Sequence, residues 1–218
     1  MRRRVQNLDM RLDLAIAEAT RRARPPFRQC LQWIAKTIDV ERYAAIQQRF
    51  IGAKHSKYLD LVWYARHKFQ KMHRIGVHRG APPRRILDLG CGPGHLGLIA
   101  RYGGHEVLGL DQPFEEPHLY TALCGLFGIA KIEHRIQAFQ PLPRVGEFDR
   151  VTATVTKFDL DPLWGLDAWR FFIDDARSML RAGGRVYITL TSSKERPAEV
   201  FDFLAGAARW SKQRAFLI

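Results

Sequence analysis

Apolar residues recur at helical spacing through roughly the first third of the chain and then in short runs that alternate with helical stretches. Leu8, Leu12, Ile16 and Ala19 fall three or four apart, and Arg21, Arg22 and Arg24 load the carboxyl end before Pro25-Pro26. That pattern predicts a basic amphipathic helix, suited to a membrane surface, to RNA, or to packing on the rest of the protein. A second helix is predicted over residues 27–38, and Asp39 then caps a third that runs over 42–51 to Gly52. From Lys57, the positions Tyr58, Leu61, Val62, Ala65, Phe69 and Met72 make another stripe, with Arg66, Lys68, Lys71 and Arg74 on other faces. Trp63, Tyr64 and His67 interleave aromatic with basic residues, either as a stacking surface for nucleic acid or as packing between helices.

After Pro83 the period changes. Strands are predicted at 85–89, 106–110, 132–136, 150–154 and 185–191, and helices at 95–102, 115–127, 168–181 and 194–208. Alternation of this kind specifies α/β architecture: a Rossmann-like, doubly wound, mostly parallel sheet with helices on both faces. The expected organisation is a basic helical module over 1–83 followed by an α/β domain over 84–218.

Composition narrows this further. A chain of 218 residues can bury one core, or one core with a small appended module. No apolar run approaches bilayer-spanning length, and Asp9, Asp13 and Glu18 interrupt what would be the apolar core of a secretory signal, so a cytoplasmic protein is expected. Cys30, Cys91 and Cys124 are too few and too scattered for a disulfide framework or a thiolate metal site. The net charge of +13 is unevenly placed, since residues 1–83 hold 18 Lys and Arg against 6 Asp and Glu, and residues 84–218 hold 17 against 16. An anionic partner at the first module, nucleic acid or acidic lipid, is one reading; a solvated arginine-rich surface is the other.

The chemistry concentrates in Arg85-Ile86-Leu87-Asp88-Leu89-Gly90-Cys91-Gly92-Pro93-Gly94-His95-Leu96-Gly97. Glycines let the chain turn sharply at the end of a strand, and the helix that follows presents a positive N-terminus to an anion. Gly92 to Gly97 satisfies GxGxxG, and Asp111 ends the next strand 19 residues after Gly92, as a dinucleotide site requires. Asp111 would serve any adenosine cofactor equally well, because each offers a ribose diol to a carboxylate. No GK[ST] follows the glycines, which excludes a P-loop.

Asp88-x-Gly90-x-Gly92-x-Gly94 closely resembles the first motif of the class I S-adenosylmethionine-dependent methyltransferases. Leu108-Gly109-Leu110-Asp111, Phe148-Asp149-Arg150-Val151 and Leu180-Arg181-Ala182-Gly183-Gly184-Arg185-Val186 resemble three further motifs of that family, in order. The resemblance implies that S-adenosylmethionine is the cofactor. The turn and the following helix would meet its methionine carboxylate, Asp88 would hold the turn and the ammonium end, and Asp111 would take the ribose. Ala138 and Phe139 would flank the adenine, with Gln137 and Gln140 adding polar contacts. Phe139 as plain core is the competing reading. Thr154, in the segment that faces the acceptor, would join the cofactor-binding residues.

That segment, 152–159, lacks the [DN]PP[YF] motif of many amino-methylating enzymes, and its continuation through Trp164 and Trp169 is similar to a poorly characterised bacterial group of the family. The resemblance therefore implies methyl transfer to a small molecule, a saccharide or lipid precursor, with oxygen favoured as acceptor. RNA methylation and a non-enzymatic cofactor-binding role are the alternatives. If the acceptor needs a base, Asp159 is the candidate, ahead of Asp161, His118 and His134. No metal is expected. Trp164 and Trp169 either wall the acceptor or anchor a helix. After the fifth strand there is room for one helix and a last strand at 214–218, so the expected C-terminal end is shortened, with no seventh strand. An open sheet edge of that kind would be covered by the N-terminal helices or by a second copy in a homodimer.

Overall fold

The computed structural model describes residues 11–154, 157–190, 198–208, 210–212 and 215–218. The start of the first predicted helix, residues 155–156 of the segment after the fourth strand, position 191, the start of the last predicted helix and Arg214 lie outside the described residues. Eight α-helices and seven strands are present among those described. The chain forms two compact units that are not contiguous in sequence. One holds the described residues up to Pro82 with Gly92–His105 and Phe114–Ala130; the other holds Pro83–Cys91, Glu106–Pro113 and the described residues from Lys131 onward. The division thus differs from a single break after residue 83, because two helices of the α/β region pack with the N-terminal ones.

The helical unit contains α1 (Leu12–Arg22), α2 (Pro25–Thr37), α3 (Val40–Phe50), α4 (Leu61–Arg74), α5 (His95–Tyr102) and α6 (Leu119–Phe127). Pro25 ends the approach from α1 and also opens α2, where a missing N–H costs nothing. Asp39 caps α3 by accepting from the Arg42 amide at 2.9 Å, as the sequence predicts. The fourth helix starts later than its apolar stripe suggests. Asp60 accepts from the Trp63 amide at 3.0 Å and starts the helix at Leu61, leaving Ser56–Leu59 as a separate 3-10 turn. The first module packs on itself and on the α/β helices: α1 lies on α2, α4 on α5, and α3 on α6. Trp33 meets Tyr102 at 5.8 Å between ring centroids, and Phe27 meets Phe69 at 5.3 Å. Leu12 and Ile16 are buried, so the apolar face of α1 is used within the protein.

The sheet unit contains β1 (Arg85–Leu89), β2 (Glu106–Asp111), β4 (Phe148–Thr154), β5 (Leu180–Thr189), β6 (Trp210–Lys212), β7 (Ala215–Leu217) and all of β3 (Ala130–Glu133) after Ala130, with α7 (Leu166–Arg177) and α8 (Ala198–Ala207). The strand order is β3-β2-β1-β4-β5-β7-β6. β1 pairs in parallel with β2 and β4, β4 in parallel with β5, and β7 antiparallel with both β5 and β6. The Rossmann-like, mostly parallel sheet is therefore as expected. The missing seventh strand is not: β6 and β7 are both present, only three residues each, so the end is short but complete. The open edge beside β5 that argued for a homodimer is covered by β7.

Three boundaries also shift. β3 starts two residues before its predicted position, and α6 starts at Leu119 instead of 115, because Glu116 precedes Pro117 and His118 accepts from the Tyr120 amide as N-cap. β5 begins at Leu180, where a helix end was expected. Leu180 pairs with Phe148 and Arg185 with Arg150, so Arg181–Gly184 bulge out of the ladder, with Gly183 left-handed at φ 75°.

Leu87, Val151, Val186 and Ile188 of the central strands pack with Trp169, Phe172 and Ile173 of α7 in one core. Trp164 and Trp169 stand 5.4 Å apart and are 4% and 1% exposed, so they anchor α7 and do not wall a ligand site. Asp175 on the same helix ties down the loop between β3 and β4. It accepts from the Leu142 amide at 2.7 Å and from Arg144 Nη2 at 2.6 Å. Removing a buried acceptor strands the amide that needs it, so Asp175→Ala should lower unfolding stability by about 2 kcal/mol, read as a reduced denaturant midpoint with an unchanged slope.

Candidate functional site

The glycine turn leaves β1 with an unbroken run of special backbone. Gly90, Gly92 and Gly94 have φ values of 64°, 56° and 78°, the left-handed region where a β-carbon costs energy. The amides of Gly90 and Cys91 both donate to the Leu110 carbonyl, at 2.7 and 3.1 Å. These two bonds hold the start of the turn against the last residues of β2, and so beside Asp111. They also commit two backbone amides of the turn, those of Gly90 and Cys91, to the protein itself.

Asp88 is 2% exposed and accepts from Thr152 Oγ1 at 2.7 Å, across the β1–β4 pair. A buried carboxylate is tolerable only with such partners. Asp111 is half-buried at the end of β2, where Oδ1 accepts from the Gln112 amide at 2.9 Å and its carbonyl accepts from the His134 amide at 2.8 Å. Asp88, Gly90, Asp111, Ala138, Phe139 and Thr154 all belong to the sheet unit, and Gly92 and Gly94 to the helical unit.

Beyond β2 the residues diverge from a simple core reading. Ala138 is half-buried against the core, whereas Phe139 is 56% exposed and holds a φ of 60°, the only positive value among described non-glycine residues. A bulky side chain in that region costs about 1–3 kcal/mol and persists only where its surroundings enforce it. Its ring faces Phe171 at 6.2 Å. Plain core is excluded for Phe139. Thr154 ends β4 at 8% exposure, paired with Thr189 of β5.

The base candidates separate by environment. Asp159 is 4% exposed within the 3-10 turn Phe158–Leu160. Asp161 is exposed and accepts from the Leu163 amide at 2.9 Å, a local turn bond. His118 spends Nδ1 on capping α6. No group of three or more His, Cys, Asp or Glu able to hold a metal occurs among the described residues, and the three cysteines are buried outside any disulfide. Burial raises the Cys30 thiol to about 12, which makes it inert as a nucleophile.

In the helical unit, Gly94 and Gly97 serve close packing against Cys124 and Ile129. The Gly92 carbonyl accepts from Cys124 Sγ at 3.3 Å, and a β-carbon on Gly97 would come within 2.7 Å of Ile129. The residue between those glycines and the helix body was missed by sequence reasoning. His95, the first residue of α5, is 2% exposed, stacked 4.7 Å from Tyr64 and 5.4 Å from Phe127. Desolvation, together with nearby Lys68, pushes its pKa down to about 3. It is a neutral ring, and its Nε2 has no hydrogen-bond partner among the described residues.

These observations define a class. A parallel sheet with a glycine turn after β1, a carboxylate ending β2 and an antiparallel β7 is a doubly wound fold, a kind that takes its ligands at the carboxyl ends of the strands. Its strand order, ending β5-β7-β6, is a Rossmann-like order with an antiparallel end, and the motifs that resemble those of the class I S-adenosylmethionine-dependent methyltransferases stand on β1, β2, β4 and β5. No family model matches the chain. It is 31% identical over 118 residues to the ribosomal RNA large subunit methyltransferase G of Aeromonas hydrophila, an alignment covering 48% of this chain and 29% of that protein. The chain thus spans less than a third of the length of that curated relative. Among solved structures it is similar to a TehB-like SAM-dependent methyltransferase from Corynebacterium glutamicum, at 18% identity and TM-score 0.47 over 81% of this chain and 94% of the other. It is also similar to the ribosomal protein L11 methylase of Lactobacillus delbrueckii subsp. bulgaricus, at 17% identity and TM-score 0.43 over 73% and 77%.

Proposed function

We propose that the chain is an S-adenosylmethionine-dependent methyltransferase acting on a small hydroxylated molecule. The observation that supports the cofactor reading is the pinning of the Gly90 and Cys91 amides to the Leu110 carbonyl, which holds the start of the turn at the end of β2, the strand that carries Asp111. When bound, the cofactor supplies a methyl group on an activated sulfonium. The protein's part is to bind, orient and exclude water, which can supply several kcal/mol of rate enhancement. Asp111 takes the ribose diol through charge-assisted hydrogen bonds. Asp88, held by Thr152, stiffens the strand end that carries the turn. Gly90, Gly92 and Gly94 allow close backbone approach, and the unpaired amides opening α5 favour the carboxylate end. Ala138 and the exposed ring of Phe139 flank the adenine, with Thr154 at the acceptor side of β4.

Phe139 offers a test that separates binding from folding. Replacement by glycine removes both the ring and the left-handed strain, so Phe139→Gly should leave the melting temperature unchanged or higher. Titration with S-adenosylhomocysteine should show about tenfold weaker binding, the loss of one stacked ring. Unchanged affinity would remove Phe139 from the site.

The RNA reading is supported by the charge of residues 1–83, where Arg21, Arg22, Arg24 and Arg28 are exposed, and by the name of the curated relative. Its discriminating signature is steeply salt-dependent binding to RNA.

A further inference from the structure

One cluster in the helical unit is absorbed neither by packing nor by the cofactor reading. His55, Tyr58, Phe114, His118 and Tyr120 are all half-buried, and they gather around one another from three separate segments. Tyr120 Oη and His55 Nδ1 are 3.4 Å apart, with ring centroids at 5.2 Å. Tyr58 meets Tyr120 edge-on at 5.2 Å, and Phe114 stacks on His118 at 4.1 Å with planes 6° apart. A β-carbon on Gly92 would stand 3.9 Å from Tyr120 Cε2. The aromatic wall therefore borders the glycine turn itself.

We infer that this cluster is the acceptor site and that His55 removes the acceptor's proton. The inference rests on the methyltransferase reading and names the substrate class within it: a neutral molecule with an apolar or planar face and a reactive hydroxyl. Aromatic faces take such a ligand. Of the ionisable groups considered above, His118 is spent on the helix cap and Asp159 is shut in its turn, while His55 stands among the half-exposed rings. In the reaction the acceptor oxygen forms a bond to the methyl carbon. The carbon–sulfur bond of the donor breaks with its electron pair staying on sulfur, and the hydroxyl proton passes to the His55 imidazole and then to water. Tyr120 orients that imidazole through Nδ1.

The groups that face His55 are His118 and Tyr120 from α6 and its cap, and Tyr58 from the 3-10 turn, with Lys57 5.1 Å from the Tyr58 ring and Glu116 accepting from the His118 amide at 2.8 Å. The experiment offers tritiated S-adenosylmethionine and the dialysable small-molecule fraction of a cell extract to the full chain and to His55→Gln and Asp159→Asn. Wild type should label that fraction, with a rate that rises through the imidazole range and an inflection matching the His55 titration seen by NMR in the S-adenosylhomocysteine complex. His55→Gln should lose about 100-fold in rate and lose that limb, with S-adenosylhomocysteine affinity and melting temperature unchanged. Loss of the limb in Asp159→Asn instead, equal rates for wild type and His55→Gln, or label entering only RNA or nothing at all overturns the assignment. Failure of the wild type to bind S-adenosylhomocysteine is a different result, and it overturns the cofactor reading beneath it.

Discussion

Asp111→Ala is expected to weaken S-adenosylhomocysteine binding by at least about 100-fold while leaving the fold intact. The carboxylate stands at the end of β2 with its backbone carbonyl tied to His134 and the neighbouring Leu110 carbonyl tied to the turn, so its position is set by main-chain bonds that alanine keeps. What alanine removes is the acceptor of two ribose hydroxyls. Hydrogen bonds to a charged group contribute about 1.5–3 kcal/mol each, and 1.4 kcal/mol is a tenfold change in affinity. Asp111 is half-buried at the strand end, where it accepts from the adjacent Gln112 amide at 2.9 Å, so the melting temperature should fall far less than the affinity. Titration calorimetry with a parallel thermal melt reads both quantities. A variant that binds as wild type does would place the ribose elsewhere.

The second large effect is acid lability through His95. Its folded pKa of about 3 lies below the ordinary histidine value of 6.5 because burial and Lys68 both disfavour the imidazolium. The unfolded chain therefore takes up a proton that the folded chain refuses. Stability from this group is complete above pH 6.5 and is lost as pH falls toward 3, by at most about 5 kcal/mol over the whole window. Urea unfolding at successive pH values should show that decline in the wild type. His95→Phe keeps a ring against Tyr64 and Phe127 and removes the titration, so its stability should be flatter over the same range. Equal slopes for the two proteins would mean that His95 is not the group responsible.

Local signals made half of this structure readable in advance. β1 and α5 have the bounds that the apolar run, the glycines and Gly103 predict, because both depend on residues adjacent in sequence. Asp39 as a cap and Asp111 at a strand end are local features of the same kind. The errors fall where distant partners decide. β5 extends back to Leu180 because Phe148 pairs there, 32 positions earlier, and no pattern within 180–184 announces that. β6 and β7 are three residues each, too short for alternation to register, and they exist because β5 offers an edge.

The same division holds for the site. Asp88, the glycines and Asp111 stand in one motif and its successor, whereas the contact of Tyr120 with His55 joins positions 65 apart. His95 reads in sequence as one more residue of the glycine motif; only the rings of Tyr58, Tyr64 and Phe127 around it reveal a buried neutral imidazole. The left-handed backbone of Phe139 has no signal in the sequence, since nothing in residues 137–140 marks a turn that favours it.

The glycine turn and Asp111 are compatible by pattern with two adenosine cofactors, and the methyltransferase reading depends on which one binds. Titration of the full wild-type chain with S-adenosylhomocysteine and, separately, with NADH decides between them. Saturable binding of S-adenosylhomocysteine with no heat from NADH is the predicted result; binding of NADH with none of S-adenosylhomocysteine would contradict it.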